Sequence, residues 1–378
     1  MLRRKVNLLE GPILKNLIIL SAPLMATAFV QMTYNFVDMI WLGRLGTNEV
    51  AAVGASGIYS WIAASIASIA RVGTNVYTSQ HYGAKEEQKM YDVIKNGLIL
   101  VCILASIYFV LVQVFAQNLI GFFNLDAKVR DMGIIYLRVV ALGYLVQFIN
   151  PIFSAIYNST GDSVRPFKMN TIGLILNLVL DPFLIFGIGF FPKLGVLGAA
   201  IATIFAQIVV FFLFVIDSLR SKNEVYLSIK NGVIRIKNQY LIFKMGFPAG
   251  IQSALHASIS LMLNKYVASY GSIPMAVYTV GTNIESISWV SAEGFQGGII
   301  AFVGQNFGAR KFQRLKETIK KGLSVVGLIG FMGTFVLVVF RNDLFKIFLP
   351  NNPEAQIIGA TFLIILGASQ FFMCMEIG

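Results

Sequence analysis

Two carboxylates sit inside long apolar runs, where a charge is costly unless something answers it. Asp38 closes the run Gln31-Met32-Thr33-Tyr34-Asn35-Phe36-Val37-Asp38, and Asp181 follows Asn177 in Asn177-Leu178-Val179-Leu180-Asp181-Pro182. Helical periodicity places Gln31, Tyr34 or Asn35, and Asp38 on one stripe, and puts Asn177 one turn from Asp181. At a rise of 1.5 Å per residue, Asp38 lies about 10 Å from the outer end of its segment, Asp181 about 15 Å, Thr203 about 12 Å and Tyr136 about 10 Å. Four segments thus offer oxygen-bearing side chains at a similar level. A carboxylate at membrane depth costs a few kcal/mol or more unless it is paired, hydrated or protonated. Two of them without a basic neighbour in sequence predict either raised pKa values or a bound cation. A hydrogen-bond network that only locks helices together is the competing reading, and for Tyr34, Asn35 and Tyr136 the two are evenly matched. Further along, His256 and Glu285 fall near the middle of apolar segments and Glu293 towards an end; each fits either a cross-helix bond or a site in a cavity.

The segments that must carry these residues are membrane spans. Of 378 residues, 56% are hydrophobic and 13% charged, with a mean hydropathy of +0.73; a soluble chain carries about a quarter charged residues. Ten apolar segments are expected, at roughly 13–42, 50–79, 93–122, 132–157, 168–190, 196–217, 241–269, 275–304, 323–348 and 355–378, each long enough for a hydrocarbon core of about 30 Å. With the amino terminus in the cytoplasm, 21 of the 30 Lys and Arg fall on inner connections, the positive-inside pattern of a multi-pass plasma (inner) membrane protein. That distribution accounts for the net charge of +12 and leaves no nucleic-acid module. The first segment runs too long, without a small-x-small cleavage site, for a signal peptide. Cys102 and Cys374 read as packing residues, and no zinc-type spacing occurs.

The chain repeats itself at an offset of 225. Gln80-His81-Tyr82-Gly83-Ala84-Lys85 aligns with Gln305-Asn306-Phe307-Gly308-Ala309-Arg310, Pro23 with Pro248, Gly46 with Gly271, and Gly73 with Gly298. Repeats of this kind predict two similar bundles with substrate handled between them: 1–220, a basic linker at 221–240 with a short extended stretch at Val233–Ile236, and 241–378. Two full copies need roughly 450 residues, so the second bundle is expected to be incomplete. Gly83 and Gly308 are expected to make left-handed turns ending their helices. The chemistry is less symmetric: Asp38 meets Leu263, and Gln31 meets His256.

The repeat, the Asn35-Phe36-Val37-Asp38-x4-Gly43 element, Asn177-x3-Asp181-Pro182 and the paired Gln-x-x-Gly-Ala elements resemble the multidrug and toxic compound extrusion (MATE) family. The resemblance runs through the start of the tenth segment. It implies an all-α integral membrane fold of two pseudo-symmetric six-helix bundles around a V-shaped cleft. It also implies export of cationic or amphipathic small molecules in exchange for Na⁺ or H⁺, with no enzyme activity and no cofactor. Asp38, Asn177, Asp181 and Thr203 match the family's amino-terminal cation site, with Gln31, Tyr34, Asn35 and Tyr136 beside it. His256 replaces an acidic residue that one branch of the family uses, and with Glu285 it is assigned to the substrate cavity or its gating. Organic cations or drugs and the lipid bilayer are the expected partners, and a monomer the expected state. A lipid-linked saccharide flippase of related plan, which would need a more cationic cavity, and a non-transporting membrane fragment remain the alternatives.

Overall fold

The computed structural model describes residues 5–123, 125–189, 191–348 and 353–377, excluding the side chains of Tyr34, Asn35, Asp38 and a few others. Every described regular element is helical: α1 (Ile13–Gly43), α2 (Thr47–Gly83), α3 (Glu87–Gly121), α4 (Ala127–Leu142), α5 (Tyr144–Ser159), α6 (Val164–Phe186), α7 (Val196–Ser221), α8 (Glu224–Asn231), α9 (Ile236–Ala268), α10 (Ser272–Gly308), α11 (Phe312–Val339), α12 (Arg341–Phe348) and α13 (Pro353–Ile377). All ten expected segments coincide with helices, with two refinements. The fourth bends by 47° between α4 and α5, at Gly143, where a Cβ would lie 2.8 Å from Ile204. The ninth divides into α11 and the short α12. Among the described residues, seven helices are long and apolar enough to cross a membrane, eight if α4 and α5 count as one span. The long helices α9 and α10 are not among them; Gln252, Ser253, His256 and Ser258 interrupt one, and Thr282, Asn283, Glu285 and Ser286 the other.

The repeat is exact at α2 and α10, whereas α1 and α9 have 31 and 33 residues and α3 and α11 have 35 and 28. Both α2 and α10 have 37 residues, and each starts after a glycine of positive φ, Gly46 at 151° and Gly271 at 109°. Both end on the Gln-x-x-Gly element, but the glycines do not make the left-handed turn expected of them. The positive φ falls two residues later, at Lys85 and Arg310, both at 58°. Gly83 and Gly308 instead let α2 and α10 cross. A Cβ on Gly83 would lie 2.0 Å from the Gln305 carbonyl oxygen, and one on Gly308 would lie 1.8 Å from that of Gln80. The contact is reciprocal, as a twofold relation between repeats requires.

Packing is also exchanged between repeats. α9 lies along α2, and α1 along α10. At the end rich in basic residues (the basic end), Leu17 and Leu20 of α1 share a core with Phe295, Ile299 and Phe302 of α10. At its other end, Leu42 packs with Ile185 and Ala199 of α6 and α7.

The linker is docked. Asn223 caps α8, its Oδ1 accepting from the Val225 and Tyr226 amides. Of the stretch expected to be extended, Val233–Ile236, the first three residues are non-helical together with Gly232 and lie on α3, while Ile236 opens α9. The Val233 amide donates to Asp92 Oδ1 at 2.8 Å, the Arg235 amide to Asn96 Oδ1 at 2.9 Å, and Asn96 Nδ2 to the Val233 carbonyl at 2.8 Å. Lys95 Nζ reaches the Ile229 and Gly232 carbonyls. Two buried polar side chains thereby imitate a strand neighbour. Asn96→Ala is expected to cost about 1–3 kcal/mol of local stability and to speed hydrogen exchange at Val233 and Arg235 by about tenfold; unchanged exchange there would remove the docking role. In the nearby α2–α3 turn, hydrogen bonds from Lys89 and then His81 hold the Glu86 carboxyl below its ordinary pKa.

Candidate cation site and its surroundings

α6 and α7 pack closely because Gly173 faces Val210, where a Cβ would lie 2.2 Å from a valine methyl. One turn beyond Gly173 on α6 comes Asn177, and one turn further Asp181, both buried. Asn177 Nδ2 donates to Asp181 Oδ1 at 3.0 Å. Asn177, Thr203 and Gln31 line a common cavity with Asn170, Gly173, Leu174, Ala206, Gln207 and Val210. Its volume of about 20 Å³ holds one water or an ion of similar size, whereas pockets for drug-sized molecules span several hundred Å³. α1 carries Asp38, Tyr34 and Asn35 beside α6; their side chains lie outside the described residues. Tyr136 packs against the core of the first repeat.

Sequence reading missed part of this wall. Gln207 accepts from Asn150 Nδ2 through both its carbonyl and its Oε1, at 2.9 and 2.8 Å. Asn170 Nδ2 donates to Ser154 Oγ at 3.2 Å and to the Pro166 carbonyl. Asn170 precedes Asn177 by seven residues and Gln207 follows Thr203 by four, so helical spacing from the singled-out residues would have found both.

In the second repeat, Glu285 is buried and its Oε1 accepts from Gln370 Nε2 at 2.7 Å, joining α10 to α13. His256 is exposed on α9 and is brought to neither group, and Glu293 and Lys265 are exposed as well. Gln252, on the turn before His256, donates to Glu376 at 3.1 Å.

The family model MatE matches residues 23–183 and again 248–377. Its two matches begin 225 residues apart, at the Pro23 and Pro248 that the repeat pairs. The chain belongs to the MatE family. A probable multidrug resistance protein, NorM of Thermotoga maritima, is 26% identical over 365 residues, covering 96% of this chain and 78% of that protein. The probable multidrug resistance protein YoeA of Bacillus subtilis is 25% identical over 359 residues, covering 93% and 76%. A crystal structure of MATE in complex with MaD5 superposes with a TM-score of 0.87 at 23% identity, covering 98% of this chain and 86% of that one. The MatE chain is therefore a multi-pass membrane transporter whose relatives are named for multidrug resistance.

Proposed function

We propose that this MatE protein exports cationic or amphipathic small molecules by antiport with Na⁺ or H⁺, the coupling cation being taken by Asp38, Asn177, Asp181 and Thr203. The observation carrying this reading is the buried Asn177–Asp181 pair beside a cavity of ionic size. A buried carboxylate is stabilised by a proton or a metal cation, and the amide of Asn177 fixes its orientation. The cavity is too small for the exported compound, so ion and cargo occupy different places. Cargo enters a V-shaped cleft between two lobes, 1–220 and 241–378, joined by the linker at 221–240. Gln31 of α1 and its repeat mate His256 of α9 are both exposed and are assigned to the walls of that cleft, with Tyr34, Asn35 and Tyr136. Glu285 responds to gating through its bond to α13.

Taking up the cation lowers the negative charge of the site by one and loosens cargo held by the same charge balance; the lobes then rock about their contact and reset. The positive-inside bias supports a basic end facing the cytoplasm of a plasma-membrane protein, which acts in this reading as a monomer without a cofactor. The test is efflux from vesicles under an imposed Na⁺ or proton gradient. Asp38→Asn and Asp181→Asn are each expected to lower ion-driven efflux at least about tenfold, since each removes a charge that membrane depth makes costly to leave unanswered. Wild-type efflux in both variants would overturn the reading.

A further inference from the structure

Residues 5–11 precede α1 and cross the basic end from one repeat to the other. Leu8 is 1% exposed, packed in the core that α1 shares with α10 and α11. The backbone around it is held by the second repeat. Arg314 donates to the carbonyls of Leu8, Gly11 and Glu10 at 3.1, 2.8 and 3.0 Å. Lys311 Nζ reaches the Leu9 carbonyl at 3.0 Å, and Asn306 Nδ2 that of Leu8 at 3.1 Å. The tip of the segment then returns to the first repeat. The Val6 amide donates to the Gly161 carbonyl at 3.0 Å, at a glycine whose φ is +88° and whose Cβ would lie 2.5 Å from the Val6 carbonyl oxygen. Lys5 pairs with Glu224 of α8 and lies over the Tyr82 ring.

The two grips are unequal. The grip on the second repeat has a buried leucine and five hydrogen bonds from Arg314, Lys311 and Asn306, whereas the tip has one backbone bond, a partly exposed ion pair and a cation–π contact with Tyr82, and exposed ion pairs are weak. The segment's mate at the 225 offset, 230–236, is the linker docked on α3, and α3 is itself the mate of α11. Each repeat's lead-in is thus bound by the third long helix of the other. The difference is that the first lead-in goes on to touch its own repeat again, closing a loop over the α2–α10 crossing.

We propose that residues 5–11 are a latch: they travel with the second repeat, and release of Lys5 and Val6 from Glu224 and Gly161 must precede opening of the basic end. Opening separates Gly83 from Gln305 and Gly308 from Gln80 and breaks the bond from Gln305 Nε2 to the Ser159 carbonyl; the tip spans the same divide. This rests on the alternating-access reading above, but its test needs no transported compound, so the two can fail separately.

The test uses full-length protein with Cys102→Ala and Cys374→Ala and a single reporter, Ser79→Cys. Ser79 is fully buried at the crossing, facing Gly304. An impermeant thiol reagent is applied to the basic face in inside-out vesicles. Lys5→Ala and Glu224→Gln are each expected to speed labelling several-fold. Carbodiimide coupling of Lys5 to Glu224 as an amide is expected to reduce labelling to background. The same treatment of Lys5→Arg, which keeps the charge but forms no such amide, should leave labelling unchanged. Equal labelling in the substituted, coupled and untreated proteins would overturn the latch, as would slower labelling in Lys5→Ala.

Discussion

A methyl group at Gly308 is expected to force the two repeats apart at their basic end. In Gly308→Ala the new Cβ falls 1.8 Å from the Gln80 carbonyl oxygen and 2.7 Å from its carbon. Both are backbone atoms of a helix, so no side-chain rotation relieves the overlap, and α10 must move relative to α2. Overpacking of this kind costs about 1–3 kcal/mol and occasionally more. Gly83→Ala presses on the Gln305 backbone at 2.0 Å and should cost a similar amount. The double variant should cost less than the sum, because one displacement relieves both clashes. Gly54 and Gly57 lie on the same helix with nothing within 4 Å of an added Cβ. There Gly→Ala is expected to be neutral or to stabilise by about 0.5–1 kcal/mol, since alanine loses less entropy in a helix. Thermal unfolding of the purified protein gives the comparison. A Tm for Gly308→Ala that is no lower than for Gly54→Ala would show that the crossing is not tightly packed.

That contrast marks where sequence was informative and where it was not. The 225-residue offset revealed two like halves, and the ends of α2 and α10 obey it to the residue. The same alignment picked out Gly83 and Gly308 but assigned them to turns, because a glycine before a polar loop most often serves that purpose. Only the approach of one copy to the other shows that the missing Cβ admits a backbone, and a contact between residues 225 apart leaves no local pattern. Asn177 and Asp181 were legible because their spacing is local and their polarity conflicts with their surroundings. Gln370 was not: an amide in an apolar run reads as ordinary until it is seen to donate to Glu285, 85 residues away. The lead-in segment was equally silent, since its ligands are backbone carbonyls and carry no residue identity. His256 was singled out for polarity at mid-segment, yet its side chain is exposed, which polarity alone could not foretell.

Asn177→Leu is expected to have the largest effect on the cation site, because it keeps the side-chain bulk and removes the donor to a fully buried carboxyl. The loss of the 3.0 Å bond to Asp181 should cost about 1–3 kcal/mol of stability and reduce ion-driven efflux at least about tenfold. A destabilised protein also transports poorly, so efflux alone does not separate a binding role from a scaffold role. Linkage does. A ligand that binds only the folded state stabilises it by about 2.7 kcal/mol at a hundred times its dissociation constant, so the Tm of the wild-type protein should rise with Na⁺ or with falling pH, whichever is the coupling ion. Asn177→Leu and Asp181→Asn should both lose that rise. Gln370→Leu, which deprives Glu285 of its donor in the second repeat, should lower the Tm by a similar amount but retain the rise. If all three variants keep the cation-dependent rise, the Asn177–Asp181 pair is a structural bond between α6 residues and the coupling site lies elsewhere.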